Sequence, residues 1–120
     1  MNDFTGKKVL VVEDEPIVAM LVEDMLADLG AEAVGPISSL QRALEVAHSG
    51  AFHAAILDLN LNGERTGGVA KVLRDRGIPF IVATGYDSAG GGELGEVSIL
   101  QKPYQLEQMA AALGKALGRP

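Results

Sequence analysis

The 120-residue sequence contains no cysteine, which removes disulfides, thiolate zinc sites and cysteine nucleophiles together. Positive charge is scarce: ten Lys and Arg stand against sixteen Asp and Glu, for a formal net charge of −6. That balance, with no helix-turn-helix segment, argues against a nucleic-acid partner, because a grip on phosphates needs basic patches. No apolar run approaches the roughly 18–20 residues of a membrane span, so no membrane insertion is expected. Behind Lys7 and Lys8 the first apolar stretch meets Glu13 and Asp14 almost at once, too soon for a signal peptide. Internal repeats and linkers are also missing. The expectation is one cytoplasmic domain over residues 1–120.

What is present is a globular composition, 48% hydrophobic and 22% charged, in a chain long enough to bury one core. Short apolar runs alternate with longer amphipathic ones. Lys8-Val9-Leu10-Val11-Val12 is a continuous β-branched run, the mark of a strand covered on both faces. Pro16 suits a first helical turn, and the spacing of Ile17, Met20, Leu21, Met25 and Leu29 predicts a helix buried on that face, capped at Gly30. Residues 31–36 read as a second strand. Ser38 or Ser39 can cap a helix carrying Leu40, Ala43, Leu44 and Ala47 that stops at Gly50.

A third strand over 53–57 delivers Asp58 at its end, followed by a polar loop and a helix over about 68–76 with Val69, Val72 and Leu73. Residues 79–83 form a fourth strand with Thr84 at its tip, 97–100 a fifth, and 105–117 a last helix carrying Leu106, Met109, Leu113 and Leu117. Between the fourth and fifth strands lie Gly85, Gly90, Gly91, Gly92 and Gly95. An interior glycine weakens a helix by about 1 kcal/mol relative to alanine, so the fourth helix is expected to be weak or irregular. Five strands alternating with helices imply an α/β fold: a parallel sheet with right-handed crossovers and helices on both faces.

In such a sheet the ligand site lies at the carboxyl ends of the strands, near the point where strand order reverses. The polar residues at those ends are Glu13 and Asp14, Asp58, Thr84 and Lys102. Three carboxylates in one crevice repel one another unless a cation sits among them. A hard, oxygen-rich site with room for water suits Mg2+. A carboxylate nucleophile, a metal, a hydroxyl and an ammonium together make a phosphoryl-transfer site.

Val12-Glu13-Asp14-Glu15-Pro16, Leu57-Asp58-Leu59-Asn60, Ala83-Thr84-Gly85-Tyr86 and Lys102-Pro103-Tyr104 stand in the order, and at the strand ends, of a response-regulator receiver domain. The chain resembles that CheY-like family over essentially its whole length. The resemblance implies a flavodoxin-like, doubly wound five-stranded parallel sheet of order 2-1-3-4-5, as a single domain with no output domain. It implies that Asp58 accepts a phosphoryl group from a sensor histidine kinase or phosphotransfer protein. Asp14 would bind Mg2+ directly and Glu13 largely through water, with Asp58 and the Asn60 carbonyl as further ligands and Mn2+ or Ca2+ able to substitute in binding. Thr84, Gly85 and Lys102 would bind the phosphate, and the Lys102–Pro103 peptide is expected to be cis.

Phe80-Ile81-Val82-Ala83-Thr84-Gly85-Tyr86 further resembles the Phe-Ala-Thr-Gly-Tyr signature of stand-alone alphaproteobacterial receivers. Two departures from ordinary receivers accompany it. Ile99 stands three residues before Lys102, where most receivers carry a switch aromatic, and no proline follows the phosphoacceptor. Thr84 with Tyr86 is therefore expected to form the switch. By resemblance a kinase docks where the first and last helices cross, with Met20, Val22 or nearby residues exposed, and the chain is expected to be a monomer.

A small Mg2+-dependent phosphohydrolase is the rival enzyme class, but Asn60 occupies the position of its general acid and cannot transfer a proton. A nucleotide binder is disfavoured because Gly90-Gly91-Gly92 neither follows a strand directly nor opens a strong helix. A degenerate receiver used as a docking module is the other alternative. His48, near a helix end, and His53, at the wrong end of the sheet, need no functional role. Met20, Met25 and Met109 read as core filler, and Arg65 as a surface cation beside the site.

Overall fold

Strand β1 (Lys8–Val12) is buried from Val9 onward and sends alternate residues to opposite faces. Val9 and Val11 join one hydrophobic cluster, and Leu10 and Val12 join another. β3 (Ala54–Asp58) divides in the same way, with Ala54 and Ile56 on the first face and Ala55 and Leu57 on the second. This two-sided burial is why the sequence runs are continuously apolar rather than alternating. The computed structural model describes residues 4–58, 60–61, 64–84, 98–101 and 106–117.

Around these two strands lie β2 (Glu32–Ile37), β6 (Phe80–Thr84) and β7 (Ser98–Gln101), giving a five-stranded sheet of order β2-β1-β3-β6-β7. Every neighbouring pair in it is parallel. In terms of the five sheet strands this is the expected order 2-1-3-4-5, and the reversal falls between β1 and β3. Helix α1 (Pro16–Asp28) and the last helix, α4 (Leu106–Ala116), cover one face through Val22, Leu26, Met109 and Leu113. Helices α2 (Leu40–Ser49) and α3 (Gly67–Asp75) cover the other through Ala43, Ala47, Val69 and Leu73. None of the described helices is long and apolar enough to cross a membrane.

The helix boundaries follow local chemistry. Ser39 caps α2, its Oγ accepting the Arg42 N–H at 3.2 Å. α1 ends at Leu29, after which Gly30 turns to φ +87°. There the Gly30 N–H donates to Ala27 and the Ala31 N–H to Leu26, the paired bonds of a Schellman end that only a residue tolerant of positive φ permits cheaply. Arg76 closes the end of α2 from outside, donating to the carbonyls of Ala47 and Gly50 at 2.6 and 3.1 Å and lying over the Phe52 ring.

The inward face of α1 differs from the spacing-based expectation. Ile17, Met20 and Leu21 are 82%, 62% and 38% exposed, whereas Ala19, Val22, Met25 and Leu26 are buried. Met20 is thus not core filler, and Val22 is not a surface residue. Residues 17–22 are all apolar, so spacing alone selects no face there. Val22, Met25 and Leu26 join the cluster that includes Val9, Val11 and Ile56 of the sheet, and that packing selects the buried face.

The segment after Asp58, expected as a loop, contains a short antiparallel ribbon: β4 (Asn60–Leu61) pairs with β5 (Glu64–Arg65). Leu61 is fully buried from this ribbon into the α2–α3 side of the core. The weak helix expected over the Gly90–Gly95 stretch lies outside the described residues.

Candidate functional site

The register Val12↔Leu57 brings the ends of β1 and β3 level, so that Glu13 and Asp58 are the next residues of the two strands. Backbone pairing holds both ends: the Glu13 N–H donates to Ile37 O at 3.0 Å, and Asp58 is in register with Ala83 of β6. Glu13 is 4% and Asp58 7% exposed, while Asp14 is half-buried. A carboxylate oxygen from each of the three lies within 4.8 Å of one from each of the others. Glu13 Oε2 also accepts the Glu15 N–H at 3.2 Å. α1 starts at Pro16 directly behind, so the positive end of its dipole faces this negative charge.

The donor set fits a hard divalent cation. All three side chains offer oxygen, two are buried, and anionic oxygens of one sign at this spacing need a counter-charge. A cation with metal–oxygen distances of about 2.1 Å spans such a cluster with small adjustments.

Thr84 is the last residue of β6 and is in backbone register with Gln101, the residue before Lys102. Asn60 lies in β4, two residues beyond Asp58. Gly85, Tyr86, Lys102 and Pro103, with the expected cis peptide at Pro103, lie outside the described residues. Among the described residues the cis peptide is Gly35–Pro36. His53, assigned no role, accepts the Lys8 N–H on Nδ1 at 2.9 Å at the opposite end of the sheet.

One residue beside the site escaped sequence reasoning. Thr66 is 1% exposed and donates from Oγ1 to the Asp58 carbonyl at 2.7 Å. Its only signal in the sequence was a cap-type residue just before α3.

A parallel five-stranded sheet with an acidic trio at its switch point defines a receiver-type signalling domain, and comparison with known proteins agrees. The family model described as response regulator receiver domain matches residues 9–114, and the chain belongs to that family. It is 39% identical to SdrG from Sphingomonas melonis Fr1, whose solution structure superposes with a TM-score of 0.80 over 92% of this chain and 96% of that one. The BeF3-activated conformation of SdrG is 37% identical with a TM-score of 0.79, over 95% of this chain and 98% of that one. The transcriptional regulatory protein CiaR of Streptococcus pneumoniae is 32% identical over 93% of this chain and 52% of its own length. The chain thus spans about half the length of CiaR and of several other curated relatives. The receiver domain of the sensor kinase PA1611 from Pseudomonas aeruginosa, 24% identical, shares the fold at a TM-score of 0.83 over 95% of this chain and 99% of that one. That structure carries a magnesium ion in its active-site cleft. The chain is a receiver domain of two-component systems, and its relatives are signalling proteins.

Proposed function

We propose that Asp58 is the phosphoacceptor, taking a phosphoryl group from a phosphohistidine on a sensor kinase or phosphotransfer protein. The observation that carries this reading is the meeting of the Glu13, Asp14 and Asp58 carboxylates within 4.8 Å at the switch point. An Asp58 oxygen attacks phosphorus in line; the O–P bond forms as the P–N bond breaks, and its electron pair stays on the imidazole nitrogen. The imidazole leaves neutral, its other nitrogen holding a proton throughout. Mg2+ bound by Glu13, Asp14, Asp58 and the Asn60 carbonyl would offset the charge of the carboxylates and phosphoryl oxygens; Mn2+ and Ca2+ suit the same oxygen donors.

Thr84, Gly85 and Lys102 bind the phosphoryl oxygens, and Tyr86 serves as the moving aromatic in place of Ile99. The chain catalyses only its own phosphorylation and dephosphorylation, and signals through protein contact as a new dianion reorganises the loops. The exposed side chains Ile17, Met20 and Leu21 lie in the first turns of α1, beside the site, and support docking of the phosphodonor protein there.

Intact mass after incubation with a small-molecule phosphodonor and Mg2+ tests the reading. A Mg2+-dependent phosphoryl adduct is expected on the wild type and none on Asp58→Asn. An adduct that persists on folded Asp58→Asn overturns the assignment, and turnover of the donor without an adduct points to the hydrolase.

A further inference from the structure

Thr66 occupies the cap position of α3, and its carbonyl accepts the N–H groups of Val69 and Ala70 at 3.0 and 3.1 Å. A threonine there ordinarily turns its hydroxyl oxygen onto the N–H groups of the first turn. Thr66, at φ −97° and ψ 14°, makes no such side-chain bond. Its hydroxyl is directed instead to the carbonyl of Asp58, eight residues back, in a buried hydrogen bond of 2.7 Å. That bond spans the β4–β5 ribbon, which has two residue pairs and is too short to hold its own geometry. Leu61 anchors the ribbon by apolar burial, a force without direction. The Thr66 bond supplies direction.

We propose that Thr66 is a positioning residue for the acidic site. By fixing the peptide plane that leaves Asp58, it sets the Asp58 carboxylate against Glu13 and Asp14. It also sets the path by which the chain returns through residue 60. The inference rests on the reading of the trio as a cation and phosphoacceptor site. Sites of this kind need their ligands held within about 0.5 Å, so the hydroxyl acts on cation affinity and not only on folding.

The test compares wild type, Thr66→Val and Thr66→Ser by calorimetric titration with Mg2+, alongside the melting temperature without metal. Thr66→Val is expected to weaken Mg2+ binding about fivefold, and Thr66→Ser, which keeps the donor, to stay within about twofold of wild type. Val22→Ala, on the other face of the sheet, is expected to lower the melting temperature without moving the Mg2+ constant. Wild-type affinity in Thr66→Val, or a loss in Thr66→Ser equal to that in Thr66→Val, overturns the proposal. A wild-type measurement serves if Thr66→Val fails to fold: the Thr66 hydroxyl proton is expected as a slowly exchanging resonance that shifts with Mg2+. A resonance that is missing or unmoved overturns it too. Absence of Mg2+ binding by the wild type would overturn the site reading itself, and this inference with it.

Discussion

Glu13 Oε2 accepts the backbone N–H of Glu15 at 3.2 Å, so one of the three clustered carboxylates is steered by the chain entering the helix behind it. If the trio holds a cation as proposed, the same side chain has two duties, one toward the backbone and one toward the cation. Glu13→Gln separates them, since the amide oxygen still accepts the N–H while the charge is gone. Mg2+ affinity is expected to fall about tenfold in calorimetric titration, because one anionic oxygen in a partly buried site is lost. The metal-free melting temperature should hold or rise, as repulsion within the trio is relieved.

The exposed stripe on α1 gives a second prediction. Ile17→Ser with Met20→Gln removes apolar surface that is 82% and 62% exposed in the wild type. Stability should change by no more than about 0.5 kcal/mol per site. Phosphorylation by a small-molecule donor should be unchanged, while transfer from the cognate phosphodonor protein should slow by about tenfold or more. Equal rates from both donors in the variant and the wild type would remove α1 from the docking surface.

A third prediction concerns the edge of the sheet. Gly35 has φ +109°, and a Cβ on it would meet Val11 O and Ile37 N at 2.8 Å each. Gly77 has φ +72° with open space around it. Gly77→Ala should cost about 1 kcal/mol, from backbone strain alone. Gly35→Ala adds a clash with backbone atoms that cannot swing aside and should cost about 3 kcal/mol. Urea unfolding of the two variants should reproduce that order.

The acidic trio was legible in the sequence because its residues sit at strand ends, and strand ends are local events. The runs Val9–Val12 and Ala54–Leu57 stop where Glu13 and Asp58 begin, and parallel-sheet topology then brings those ends together. The cap at Ser39 and the turn at Gly30 were readable for the same reason: each depends on bonds within a few residues.

Thr66 was not legible, because its partner lies eight residues away across a ribbon that polar composition had suggested to be a plain loop. The rotation of α1 was not legible either. Six consecutive apolar residues offer several candidate faces, and only packing against the sheet, through Val22, Met25 and Leu26, chooses among them. By itself the sequence determined the alternation of elements, the strand order through its family resemblance, and the identity of the three carboxylates. The tertiary structure alone decided which apolar side chains of α1 remain exposed and which hydroxyl holds the backbone at Asp58. Both outcomes turn on contacts between separate elements of the fold, a helix against the sheet and a cap residue against a strand end, and local periodicity carries no record of them.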